Sequence, residues 1–128
     1  MLHILLVEDN PGDVLLVREA IRFACVDADV IIAYDGEQAE HFLEQKKPDL
    51  VVLDLNIPKL NGFQILERIR ARNGPPILVL TSSKNPADEA RARELGAREY
   101  VVKPSRFDAF LGAVGPAIEH WIETVRST

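Results

Sequence analysis

The 128-residue chain has a single cysteine, Cys25, which excludes an internal disulfide and fits a reducing compartment. It has no long apolar run, so no segment reads as a membrane span. Its opening, MLHILLVEDN, lacks a basic region and a small-residue cleavage site, and reads as a strand rather than a signal peptide. No linker, low-complexity tract or repeat interrupts it. A single domain over residues 1–128 is expected, with any effector domain on another chain. Positive charge is in deficit, at 15 Lys and Arg against 20 Asp and Glu, and a net charge of −5 weighs against general nucleic-acid binding. His3, His41 and His120 show no metal-ligand spacing, so structural or surface roles are expected for them. Neither G-x-G-x-x-G nor G-x-x-x-x-G-K-S/T follows the first apolar run, which disfavours a dinucleotide or nucleotide binder.

The rest is globular in composition, 47% hydrophobic and 27% charged. Short runs rich in Val, Ile and Leu lie at 2–7, 29–33, 50–53, 77–80 and 100–102. Such runs suit strands of a parallel sheet covered on both faces. Helical periodicity fills the gaps. NPGDVLLVREAIRFA opens on Asn10 as cap with Pro11 in the first turn, and DGEQAEHFLEQ begins on Asp35. NGFQILERIRAR begins on Asn61, NPADEARAREL begins near Asn85–Pro86 and stops at Gly96, and a last helix starts at about Arg106. Five β-α repeats predict an α/β domain with a doubly wound, five-stranded parallel sheet of order 2-1-3-4-5. Ligands of such sheets sit beyond the carboxyl ends of the strands where the winding reverses, here between strands 1 and 3.

Strand 3, in VVLDLNIPKLNG, runs through three apolar residues into Asp54. An ionised carboxylate is costly to bury without a partner, so Asp54 needs specific company at the strand tip. Strand 1 ends on Glu8–Asp9, and the topology brings these ends together. Three carboxylates there repel one another unless a cation or proton intervenes. With no Cys or His nearby, a hard cation is expected, and Mg²⁺ suits one or two carboxylates with the backbone carbonyl of Asn56 as a further ligand. Strand 4 ends at Thr81, a hydroxyl, and strand 5 at Lys103, a mobile point charge suited to phosphate. Taken singly, each has a plainer role as a cap, a loop hydroxyl or a surface lysine. Together on the carboxyl ends of strands, one ligand can touch them all.

LLVEDN, VVLDLNIPKLNG, LVLTSS and YVVKP, in this order, resemble the receiver domain of two-component response regulators over the whole chain. VEDNPGDVLLVREA with NIPKLNG and TSSKN further resembles the stand-alone receivers paired with cyanobacterial and bacterial phytochromes. The resemblance implies a flavodoxin-like (βα)5 fold in the cytoplasm. It implies that Asp54 accepts a phosphoryl group from a sensor histidine kinase, with a bacteriophytochrome as the narrower match. It also implies that Glu8, Asp9, Asp54 and the Asn56 carbonyl hold Mg²⁺, that Lys103 pairs with Asp54 and then the phosphoryl oxygens, and that Thr81 and Tyr100 switch with it. The Lys103–Pro104 peptide is expected to be cis, as in relatives. The protein is then a phosphoacceptor that catalyses its own transfer and dephosphorylation, not a dedicated enzyme. Its output is expected at the face of helix 4, strand 5 and helix 5, with no nucleic-acid or membrane partner. Ser82, Ser105 and Asn61 depart from the family's commonest residues at their positions. An aspartate-nucleophile phosphatase would need an acid two residues after Asp54, where Asn56 stands. A receiver that signals without phosphate is disfavoured by the intact Asp54, Thr81 and Lys103. Trp121, Ile122 and Val125 are expected to overhang the sheet at the end of helix 5, and with the alanine face of DEARAREL they suggest a homodimer through helices 4 and 5.

Overall fold

The computed structural model describes residues 2–25 and 27–127, so the ends of the expected 1–128 domain, Met1 and Thr128, lie outside it. The strands are β1 (His3–Val7), β2 (Asp29–Ala33), β3 (Leu50–Leu53), β4 (Ile77–Thr81) and β5 (Glu99–Val102). They alternate with helices α1 (Pro11–Ala24), α2 (Gly36–Lys46), α3 (Gly62–Ala71), α4 (Pro86–Glu94) and α5 (Phe107–Arg126). All pairings are parallel and the order is β2-β1-β3-β4-β5. The expected strands agree with the observed ones to within one residue at each end.

Alternation along the strands divides the core into two layers. Leu5, Val7, Val51, Leu53 and Val79 face α2, α3 and α4, where Ala39, Leu43, Ile65, Leu66 and Ile69 meet them. Ile4, Leu6, Val52, Leu78 and Leu80 face α1 and α5, against Val14, Val17, Ile21, Phe110, Val114 and Ile118. Helix starts follow the capping residues. Asn10, Asp35 and Asn85 each accept a backbone N–H in the first turn, and Asn61 forms a reciprocal capping box with Gln64. Gly96, at φ 106°, takes the left-handed conformation that follows α4.

Helix α4 is the exception to amphipathic design. Ala92 is its one buried residue, and it is held at its margins by polar contacts. Arg70 Nη1 donates to the Glu94 carbonyl at 2.9 Å, and the Arg91 guanidinium lies 4.4 Å from the Phe63 ring centroid. The expected overhang at the end of α5 is not observed. Ile122 is 1% exposed, and Trp121 and Val125 pack on the α1–α5 core. The reason is that Trp121 Nε1 donates to Glu99 Oε1 at 2.6 Å, which draws the indole back onto β5. Among the described residues, the large apolar side chains left exposed are Leu15, Phe23, Tyr34 and Phe107. No helix is long and apolar enough to cross a membrane, among the described residues.

Candidate phosphoacceptor site

Parallel pairing sets the strand ends beside one another. Asp54 N–H donates to the Val7 carbonyl at 3.0 Å, Glu8 N–H to Ala33 at 3.0 Å and Lys103 N–H to Thr81 at 2.8 Å. The carboxyl ends of β2, β1 and β3, and those of β4 and β5, are thereby fixed in register just where the apolar runs stop. Glu8, Asp9 and Asp54 each bring a carboxylate oxygen within 4.8 Å of the other two. Glu8 and Asp54 are buried and Asp9 is exposed, so the group opens to solvent on one side. An all-oxygen donor set with an open side fits a hard divalent cation that keeps part of its water.

Lys103 closes the other side. Its side chain is 7% exposed, and Nζ donates to Glu8 Oε1 at 2.5 Å, Asp13 Oδ2 at 2.9 Å and Asp54 Oδ2 at 3.0 Å. The three ammonium protons are thus matched by three carboxylates. Burial by itself pushes the Lys103 ammonium down, but the hydrogen bonds to Glu8 and Asp13 and the charges of Asp54 and Glu8 outweigh it and hold it above the ordinary lysine value. Burial has the opposite outcome at Glu8. Desolvation raises its carboxyl to about 7 and the Asp54 charge adds to this, against the Lys103 hydrogen bond.

The loop after Asp54 is held tightly. Asn56 N–H donates to Asp54 Oδ1 at 3.1 Å, so the structure places Asn56 at the carboxylate through its amide. Gly62 N–H donates to the Leu55 carbonyl at 3.0 Å, and Gly36 N–H to Pro58 at 3.1 Å. Both glycines are required by the close approach. A Cβ on Gly62 would lie 2.5 Å from Leu55 Cα, and one on Gly36 would lie 2.3 Å from the Leu60 carbonyl oxygen. Lys59, in the same loop, adopts φ 69° and reaches Asp35 at 3.4 Å.

Thr81 is fully buried, and its Oγ1 accepts from Ser83 N–H at 3.4 Å. Ser83 Oγ donates to Asp88 Oδ2 at 2.6 Å, in the first turn of α4, and the Tyr100 hydroxyl donates to the Ser83 carbonyl at 3.0 Å. Burial raises the Tyr100 phenol above its ordinary value. Thr81 and Tyr100 are therefore joined through Ser83 to the start of α4. Of the expected site residues, Glu8, Asp9, Asp54, Asn56 and Lys103 converge, while Thr81 and Tyr100 form this adjoining chain. The expected cis peptide at Pro104 is not observed, since no peptide is cis among the described residues. Trans is the intrinsic preference even before proline, and with it Lys103 already reaches all three carboxylates. Sequence reasoning missed Asp13, read only as part of a helix, and Ser83 as a connector.

A doubly wound parallel sheet of order 2-1-3-4-5, with an acidic cluster and a buried lysine at the carboxyl ends of its strands, defines a class, the flavodoxin-like receiver fold. The family model for the response regulator receiver domain matches residues 4–115, and the chain belongs to that family. It is similar to the response regulator Rcp1 of Synechocystis, 35% identical over 132 residues that cover 95% of this chain and 90% of Rcp1. Its fold is similar to that of the phosphorylated cyanobacterial phytochrome response regulator RcpA, with TM-score 0.89, 32% identity and coverage of 95% and 94% of the two chains. The Mn²⁺-bound form of Rcp1 gives TM-score 0.87 at 34% identity, over 97% of this chain and 96% of that one. Other relatives are longer. The chain spans 41% of the probable transcriptional regulator ycf27 of Porphyridium aerugineum, at 38% identity over 100 residues.

Proposed function

We propose that Asp54 accepts a phosphoryl group from a phosphohistidine on a sensor histidine kinase, and that the protein signals through the resulting change at α4, β5 and α5. One observation carries this reading: the buried Asp54 carboxylate is hydrogen-bonded to an equally buried ammonium, beside a second buried carboxylate, Glu8, and an exposed one, Asp9. A structural ion pair would not need that surplus of negative charge.

In the transfer, an Asp54 oxygen forms a bond to phosphorus as the P–N bond of the donor breaks. The imidazole departs with the electron pair and is protonated from solvent. No general base is needed, because the attacking group is a carboxylate paired with the Lys103 ammonium rather than a hydroxyl that must lose a proton. Lys103 stays at the oxygens as charge passes from the carboxylate to the phosphoryl group. Mg²⁺, held by Glu8, Asp9, Asp54 and the Asn56 carbonyl, would neutralise phosphoryl charge. Thr81 gives up the long bond from Ser83 N–H to turn its hydroxyl to the phosphoryl group. Ser83, Asp88 and Tyr100 pass that change to the start of α4. The protein acts on its own aspartate and is not a dedicated enzyme.

RcpA is a cyanobacterial phytochrome response regulator, and that likeness supports a phytochrome-type kinase, with a bacteriophytochrome as the narrower candidate and the cytoplasm as the place of the exchange. The partners are proteins rather than nucleic acid or membrane, in keeping with the net charge of −5. The exposed Ala87 and Ala90 of α4 support homodimerisation through α4 and α5. Sedimentation with and without a beryllofluoride mimic tests that assembly, and a monomer under both conditions excludes it.

Incubation with acetyl phosphate and Mg²⁺, followed by intact mass, tests the central claim. Wild type gains one phosphoryl group and Asp54→Asn gains none. A folded wild type that takes up no phosphate, from acetyl phosphate or from kinase donors, removes the reading.

A further inference from the structure

Lys103 has one carboxylate partner that lies outside the acidic cluster. Glu8 and Asp54 belong to the group drawn within 4.8 Å of Asp9, and Asp13 does not. Asp13 comes instead from the first turn of α1, with Oδ2 2.9 Å from Lys103 Nζ. Its side chain is 25% exposed, so it stands at the rim of the site rather than beneath it. Its backbone is fixed independently of its side chain. Asp13 N–H donates to Asn10 Oδ1 at 3.1 Å, and the adjacent Val14 is buried in the α1–α5 core. The carboxylate is therefore presented to Lys103 from a rigid element, by a contact that other parts of the site do not claim.

That independence matters because the other two tethers change during transfer. Phosphorylation turns the Asp54 carboxylate into an acyl phosphate and removes its formal charge. Glu8 faces both the ammonium and the position of a cation, and its attraction is divided between them. Lys103 is a flexible four-carbon stem with a point charge at its tip, and it loses aim when its anchors go. We propose that Asp13 is a positioning residue, which holds the Lys103 ammonium against the site while the phosphoryl group arrives. The proposal rests on the phosphoacceptor reading and adds to it a residue on α1 that acts through Lys103.

Asp13→Asn keeps the shape and removes the charge. With phosphoramidate as donor and saturating Mg²⁺, its maximal rate of uptake falls by roughly three- to tenfold, as misplacement of a charge-stabilising group requires. The donor concentration at half-maximal rate does not rise, because the site has lost a repelling negative charge. Asp13→Glu restores most of the maximal rate. In metal-free protein, the Lys103 Nζ resonance in lysine-labelled NMR spectra shifts in Asp13→Asn and returns towards wild type in Asp13→Glu. A purely structural residue would lower thermal stability without this division between rate and half-saturation. A maximal rate equal to wild type in folded Asp13→Asn, or an unmoved Lys103 resonance, overturns the proposal while wild-type uptake leaves the phosphoacceptor reading standing. Absence of uptake in wild type removes both.

Discussion

Strands β1 and β3 each bury an apolar run and then, one residue later, a charge. Leu53 and Asp54 are neighbours with exposures of 0% and 6%, and Glu8 at 2% follows Val7 at 0%. By burial alone the two kinds of residue are indistinguishable, yet they act on stability with opposite sign. The apolar run gains from leaving water. The carboxylates lose hydration, and Lys103 offsets only part of that loss. The sheet thus stabilises the fold along its length and stores an electrostatic cost at its carboxyl end, where a cation or phosphoryl group can relieve it.

Truncating the apolar part gives the largest effect. Leu53→Ala costs about 2–5 kcal/mol in urea unfolding, as for other buried leucines. A loss below that range would mean that the strand core is loosely packed. Neutralising the charged part shifts stability the other way. Glu8 has its carboxyl raised from 4.5 to about 7, so between those values the folded chain holds a proton that the unfolded chain releases. The unfolded state then binds fewer protons, and unfolding free energy falls as pH rises through that window. Glu8→Gln removes this decline and stabilises the metal-free protein by about 1–3 kcal/mol at pH 8, with little difference near pH 4. Urea midpoints measured across pH in EDTA check this, and a destabilised Glu8→Gln at pH 8 reverses the comparison. The smallest effect falls on α4, which has neither a core stripe nor a buried charge. Ser83→Ala removes the bond to Asp88 and costs about 1 kcal/mol. Faster amide exchange confined to α4 should accompany it, whereas exchange that quickens across β3 would show that Ser83 supports the sheet.

The same contrast explains what was legible before the structure. Apolar runs and capping residues fixed the strands and helices, because burial and backbone satisfaction act locally. Glu8, Asp9, Asp54, Thr81 and Lys103 were legible as a group because strand ends of a known topology converge. Asp13 was not, since its role depends on how α1 is rotated over the sheet, which periodicity does not give. Nor was the seat of Trp121, set by one carboxylate of β5 across the interface. Nor was the linking role of Ser83, which only its contacts with Thr81, Asp88 and Tyr100 make a connector. The Pro104 expectation came from likeness rather than from any local constraint, and the chain keeps the ordinary isomer.

Gly36 and Gly62 bear no functional group, yet they hold the loop that follows Asp54 from two sides. Even an added methyl would collide with loop backbone at either position. A saturation survey scored on signalling should therefore show two kinds of intolerance in this molecule. Asp54 would reject replacements for lack of chemistry. The two glycines would reject every one of them, alanine included, for lack of room.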